Sequence, residues 1–203
     1  MNFLAHIHLA EPNCESRIGN LLGDFVRGLP WDSRFEPVVW KAIMEHRYVD
    51  AFTDAHPVWQ RSKDLLRPEM RRFAGIVVDI FYDHFLSTNW SLFSPDQNLD
   101  EFIVEVHRDL RTSMPLVPQD AAPVIDAMIR ESWLSNYLAT EGIEETLIRV
   151  SHRSPRLHLI RKSGEDFHRH YEAFEQDFLE FYPELIAYVS GLREEEPVND
   201  DSA

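Results

Sequence analysis

Apolar residues recur at helical spacing along nearly the whole chain, and no valine-, isoleucine- or threonine-rich run alternates between turn residues. A chain patterned this way can bury its apolar side chains only by packing helix on helix. Prolines and glycines then divide it. A first helix is expected over about Phe3 to Leu9, closed by Glu11-Pro12. Asn13 or Ser16 can cap a second, running to about Arg27 with Gly28 and Pro30 as stop signals. Further helices are expected from Phe35 to Thr53, Pro57 to Leu66, Pro68 to Ser87, Leu99 to Ser113, Ala121 to Ser132, Ile143 to Val150 and Ser163 to Phe181. Pro183 should either break the last of these or start a short terminal one.

The 203 residues, with 13 Phe and 5 Trp, suffice for one packed core. Such a length buries roughly 70% of its unfolded surface, so neither a disulfide nor a structural metal is required for folding. The expectation is an all-α, single-domain helical bundle over residues 1–192, followed by an acidic, disordered tail over 193–203 carrying Glu194, Glu195, Glu196, Asp200 and Asp201. A formal charge of −15 argues against nucleic-acid binding, which needs a basic footprint. No apolar run approaches the length of a membrane span, and the opening MNFLAHIHLAEPN lacks the basic region of a signal peptide. With a single cysteine, Cys14, lacking any partner for a disulfide or redox pair, these features point to the cytoplasm.

Chemistry concentrates in four places. Asp79, Asp83 and His84 interrupt the otherwise nearly apolar stretch from Phe73 to Leu86. Asp79 and Asp83 are one helical turn apart and share a face. A carboxylate in such surroundings needs a cation or donors, so either a divalent metal or hydrogen bonds from an arginine or a helix end must serve it. His46 and Asp50 repeat the i, i+4 spacing, which lets both reach one ion or simply bond one another. Asp54 continues that face, but it precedes Ala-His-Pro57, where an acid caps a helix.

Asp24, in the block Gly19-Asn-Leu-Leu-Gly23-Asp24-Phe-Val-Arg27-Gly28, falls near a helix C-terminus, where the helix dipole disfavours an acid. A residue placed against local preference marks a candidate site, and Arg27 beside it can fork onto phosphate oxygens. His6 and His8 are two apart in a helix and point about 200° from each other, so only one can join a shared centre; His6 is the choice. Carboxylate and imidazole donors without thiolate suit Mn²⁺, Mg²⁺, Fe²⁺ or Zn²⁺, ions that polarise phosphoryl groups and acidify water. No nucleophile elbow and no glycine-rich phosphate loop is present among only 7 Gly.

Taken in order, Met-Asn-Phe-Leu-Ala-His6-Ile-His8, the Gly19–Gly28 block, His46-Arg47-Tyr-Val-Asp50, Asp79-Ile-Phe-Tyr-Asp83-His84, Ser94-Pro-Asp96, Arg153-Ser-Pro-Arg156 and Phe181-Tyr-Pro183 resemble the acyl carrier protein phosphodiesterase family. That resemblance implies hydrolysis of the phosphodiester joining 4′-phosphopantetheine to a serine of holo-acyl carrier protein, with a divalent metal, typically Mn²⁺. It also implies a distant likeness to the HD-type metal phosphohydrolases, although here the doublet is reversed as Asp83-His84. On this view Asp24, His46, Asp50, Asp79, Asp83 and His84 are candidate ligands, Arg27 and Arg47 neutralise phosphate, and His6 protonates the leaving serine oxygen. Acyl carrier proteins are acidic, so a net-negative hydrolase needs a local basic surface. From Thr146 to Ser163 there is no acid, while Arg149, Arg153, Arg156, Arg161 and Lys162 supply positive charge; Arg67, Arg71 and Arg72 form a smaller cluster. Two other readings share these residues: a hydrolase of a nucleotide or other small phosphodiester, and a non-catalytic helical module that binds metal or protein.

Overall fold

The computed structural model describes residues 1–28 and 33–194. Twelve α-helices and no strand occur among them. The helices are α1 (Phe3–Leu9), α2 (Cys14–Leu22), α3 (Pro37–Ala55), α4 (Pro57–Asp64), α5 (Ala74–Thr88), α6 (Trp90–Phe93), α7 (Leu99–Ser113), α8 (Ala122–Arg130), α9 (Trp133–Asn136), α10 (Thr140–Ser151), α11 (Ser163–Arg169) and α12 (Tyr171–Glu194). Longer 3-10 stretches lead into α5 (Pro68–Phe73) and α11 (Pro155–Lys162). No helix among the described residues is long and apolar enough to cross a membrane.

The core is centred on α5. Val77, Val78, Ile80, Phe81, Tyr82, Phe85 and Leu86 are all buried, so this helix is apolar around most of its circumference, as a central helix must be. On α12, Phe174, Phe178, Phe181, Tyr182, Leu185 and Val189 recur every three or four residues and pack onto it; Phe81 meets Phe174, and Tyr82 meets both Phe178 and Phe181. Burying each such side chain contributes about 1.5–3 kcal/mol before chain entropy is counted. The short α1 lies inside this packing, with Phe3, Leu4, Ala5, Ile7 and Leu9 buried.

Several boundaries differ from the sequence pattern. Asn13 does cap α2, accepting the Ser16 N–H, but the helix ends at Leu22, where Phe25 and Val26 both donate back to the Leu22 carbonyl. The single helix expected from Pro68 is split, because Phe73 (φ −116°, ψ 7°) leaves the helical region between the 3-10 stretch and α5. His170 (φ −119°, ψ 23°) divides α11 from α12 in the same way. Pro183 neither breaks nor starts a helix. It lies on the exposed face of α12, where losing one hydrogen bond costs least, and the buried residues on either side carry the helix through. The cap of α4 is His56, whose ring accepts the Val58 N–H, rather than Asp54.

Arg193, placed by composition in the tail, belongs to the last turn of α12. It donates to both oxygens of Glu45 at 2.9 and 2.7 Å and to the Leu9 carbonyl at 2.6 Å, tying the end of α12 to α3 and α1. Residues 195–203, which hold Glu195, Glu196, Asp200 and Asp201, lie outside the described residues, as does Pro30.

Candidate metal centre

α2 and α3 pack more closely than ordinary side chains allow. A Cβ on Gly19 would come within 2.5 Å of the Ala42 Cβ, and one on Gly23 within 2.2 Å of the His46 ring. These glycines are one helical repeat apart, so they clear a single face against which α3 sits. The consequence is local. Gly23 lets the His46 ring rest against the turn that carries Asp24, bringing His46 Nε2 to 3.7 Å from Asp24 Oδ1.

From the other side α1 presents His6. The two imidazole rings stack with centroids 3.8 Å apart, and both direct Nε2 at the same carboxylate: His6 lies 3.2 Å from Asp50 Oδ1, His46 3.1 Å from Asp50 Oδ2. Ligand atoms of His6, His46 and Asp50 all fall within 4.8 Å of one another. The amino group of Met1 completes the group, 3.0 Å from Asp50 Oδ1 and 3.4 Å from Asp79 Oδ1.

The electrostatics agree with a seat for a cation. Burial opposes the charge on the Met1 amino group, yet the Asp79 and Asp50 carboxylates outweigh it and push its pKa up to about 11. Desolvation works against ionised Asp50, but the Met1 ammonium and the bonds from His46 and His6 hold it far below the usual carboxylate range. Burial, reinforced by His46, pushes His6 down to about 3 and so keeps it neutral, the form in which imidazole ligates metal. Desolvation raises Asp79 above its ordinary range. Two imidazole nitrogens and a carboxylate form a hard-to-borderline donor set matching the divalent ions named above. The Nδ1 atoms of His6 and His46 are buried without a hydrogen-bond partner among the described residues.

The other sequence candidates divide cleanly. Asp24 and Asp79 border the cluster. Asp83, fully buried, accepts the backbone N–H groups of Leu4 (2.8 Å) and Ala5 (3.0 Å), so it caps the first turn of α1 and thereby holds the helix bearing His6. His84 is engaged at both nitrogens, Nδ1 with the Tyr137 carbonyl at 2.7 Å and Nε2 with the Tyr171 hydroxyl at 3.0 Å. Arg47 donates to the carbonyls of Val26 (2.8 Å) and Gly28 (2.9 Å), bracing the segment after Asp24, while Arg27 is exposed on that segment. His8 points elsewhere, between the Tyr182 hydroxyl and Ser94.

In the basic run, the Arg149 guanidinium lies 4.1 Å over the Trp133 ring and Arg153 5.9 Å over Phe3, while Phe3 and Trp133 stack on each other. Arg153 therefore sits over the first turn of α1, the helix that carries His6. Arg153, Arg156, Arg161 and Lys162 are exposed; Arg161 donates to Ser151. In the smaller cluster Arg67 is neutralised by Glu165 and Asp166. Spacing alone missed three contributors: the Met1 amino group, the Trp59 indole and the Gly19/Gly23 face. The Trp59 indole donates to Asp79 Oδ1 at 3.3 Å, which no spacing rule announces, whereas the Gly19/Gly23 repeat was a legible sign of close helix packing.

Comparison with known proteins follows the same lines. Residues 1–185 match the family described as acyl carrier protein phosphodiesterase. Relatives named acyl carrier protein phosphodiesterase from Salmonella agona (strain SL483) and Escherichia coli O9:H4 are each 40% identical over 190 residues, covering 94% of this chain and 98% of theirs. One from Shigella boydii serotype 18 is 41% identical over the same spans. No solved structure matches.

Proposed function

Because the chain belongs to the acyl carrier protein phosphodiesterase family, we propose that it hydrolyses the phosphodiester between 4′-phosphopantetheine and a serine of holo-acyl carrier protein. Water oxygen bonds to phosphorus, the bond from phosphorus to the serine oxygen breaks, and that oxygen takes a proton, giving apo-carrier protein and 4′-phosphopantetheine. The observation that carries the reading is the convergence of His6 Nε2 and His46 Nε2 on Asp50.

His6, His46 and Asp50 would hold a divalent cation, with Asp24 and Asp79 beside them; Mn²⁺ is the expected ion, and Mg²⁺, Fe²⁺ or Zn²⁺ suit the same donors. Bound there, such an ion supplies Lewis acidity toward a phosphoryl oxygen and acidifies water near neutral pH. His6 enters as a ligand rather than as the proton donor, since an imidazole kept neutral down to about pH 3 has no proton to give as an imidazolium. Arg27, exposed three residues past Asp24, would meet the phosphate, and Arg47 braces the backbone that carries it. Asp83 secures α1 and hence His6. The exposed charges of Arg153, Arg156, Arg161 and Lys162, with Arg149 behind them, suit an acidic carrier protein, and the reaction belongs in the cytoplasm.

Mass spectrometry of holo-carrier protein incubated with this protein and Mn²⁺ should show loss of the prosthetic group. Unchanged mass with Mn²⁺, Mg²⁺, Fe²⁺ and Zn²⁺ in turn would overturn the assignment.

A further inference from the structure

We infer that Trp59 is a positioning residue for this centre, holding the Asp79 carboxylate in place through its indole N–H; the inference rests on the reading of His6, His46 and Asp50 as a cation site. Trp59 belongs to α4 and is only 4% exposed, yet its Nε1 reaches across to Asp79 on α5. The ring runs along α5 rather than merely touching it. At Gly75, one helical turn before Asp79, an added Cβ would lie 3.1 Å from Cη2 and 3.3 Å from Cζ2 of the indole. A small residue at i and an acid at i+4 thus receive the benzo edge and the N–H of one side chain. Lys63 Nζ lies 4.0 Å over the ring, adding a further constraint on its placement.

The chemistry of indole suits the task. It has a donor and no acceptor, does not titrate in the ordinary range, and so can fix one carboxylate oxygen without competing for a cation. Oδ1 of Asp79 takes the indole N–H and faces the Met1 amino group, while Oδ2 takes no hydrogen bond among the described residues. Donors of this kind behind a metal-site carboxylate typically change metal affinity roughly 10–100-fold when removed. The competing account, that Asp79 merely satisfies a buried indole, predicts no effect on a cation.

Mn²⁺ binding, read from free Mn²⁺ by electron paramagnetic resonance, separates the two without recourse to turnover. Trp59→Phe keeps an aromatic ring and deletes the donor, and it should weaken Mn²⁺ binding about tenfold. In a double-mutant cycle with Asp79→Ala the two losses should be strongly non-additive, because both remove the same bond. Gly75→Ala, which presses on the ring and leaves the donor intact, serves if Trp59→Phe does not fold; weakened Mn²⁺ binding supports the inference there too. Parent-like Mn²⁺ affinity in the variant that folds, or additive losses in the cycle, would overturn it. Failure of the parent protein to bind Mn²⁺, or binding that survives Asp50→Ala, would instead sink the cation site itself.

Discussion

His6 and His46 stack at 3.8 Å with their planes 18° apart, and each presents Nε2 to one oxygen of Asp50. Two imidazolium rings at that distance would repel strongly, so the pair is held neutral on at least one side, and each ring donates its Nε2–H to the shared carboxylate. That relationship joins the first helix of the chain to the third.

If this pair holds the cation, His46→Ala and Asp50→Ala should each reduce Mn²⁺ affinity by more than the roughly 10–100-fold typical of residues that only support a ligand. His84→Ala should leave Mn²⁺ affinity at the parent level, because both its nitrogens are committed to Tyr137 and Tyr171. It should instead lower stability by about 1–3 kcal/mol through the unpaired groups it leaves behind. Calorimetric Mn²⁺ titration beside urea unfolding separates these outcomes, and equal loss of Mn²⁺ binding in all three would restore His84 as a ligand.

Gly23→Ala tests the packing that seats His46. The new Cβ would lie 2.2 Å from the ring, so either the imidazole or the turn must move. A destabilisation of about 1–3 kcal/mol is expected from overpacking, with a loss of Mn²⁺ affinity that Gly28→Ala does not reproduce. Gly28 has open space around its Cβ position, although its φ of +95° makes the substitution strained, so it controls for backbone effects on the same segment. Parent-like Mn²⁺ affinity in Gly23→Ala would show that the close approach is incidental.

The all-helical architecture was legible because its signal is local: α1 and α7 fall where the apolar period and caps place them. The breaks at Phe73 and His170 were not, since each is a single residue leaving helical geometry under tertiary packing, with no proline or glycine to announce it. At the site, spacing found His46 with Asp50 and burial found Asp79, Asp83 and His84. What spacing cannot supply is the partner of a buried acid. Asp83 met its need with two backbone N–H groups from α1, and a donor set from a distant helix end looks the same in sequence as one from a metal.

Asp83 therefore carries a prediction of its own. Asp83→Ala leaves the Leu4 and Ala5 N–H groups buried and unpaired, at about 1–3 kcal/mol each, whereas Asp83→Asn keeps one acceptor and should recover part of that loss. Both should weaken Mn²⁺ binding through displacement of His6, in the same order as they lose stability. A full loss of Mn²⁺ binding in Asp83→Asn at parent stability would argue for direct ligation.

Alongside His6, whose pKa burial pushes down to about 3, part of the acid sensitivity should trace to His8. Burial pushes its pKa down to about 4, against a partial opposing effect of hydrogen bonding to the Phe93 backbone. Between about pH 4 and 6.5 the unfolded chain holds this proton and the folded chain does not, so stability is present above 6.5 and is lost as pH falls toward 4. The slope is at most about 1.4 kcal/mol per pH unit for one proton. Asp83 acts in the opposite sense over much of that window, because burial raises its pKa to about 7 and its folded form keeps a proton the unfolded form has lost. Comparison of His8→Gln with the parent isolates the histidine: its urea midpoint should fall less steeply from pH 6.5 to pH 4.5. Parallel curves would remove His8 from the account.

Docking of an acidic carrier should depend on the exposed members of the basic run. Arg149 is a poor test, because its guanidinium lies against Trp133 and its replacement would disturb packing as well as charge. Arg156→Glu with Lys162→Glu alters exposed side chains only. These reversals should raise KM for holo-carrier protein severalfold at low salt while leaving turnover of a small chromogenic phosphodiester at the parent rate. The parent's preference for carrier protein should itself shrink as ionic strength rises, since exposed charges are screened within about 8 Å at physiological salt. If the reversals slow both substrates alike, their effect lies in the fold. If they slow neither, the carrier docks elsewhere on the molecule.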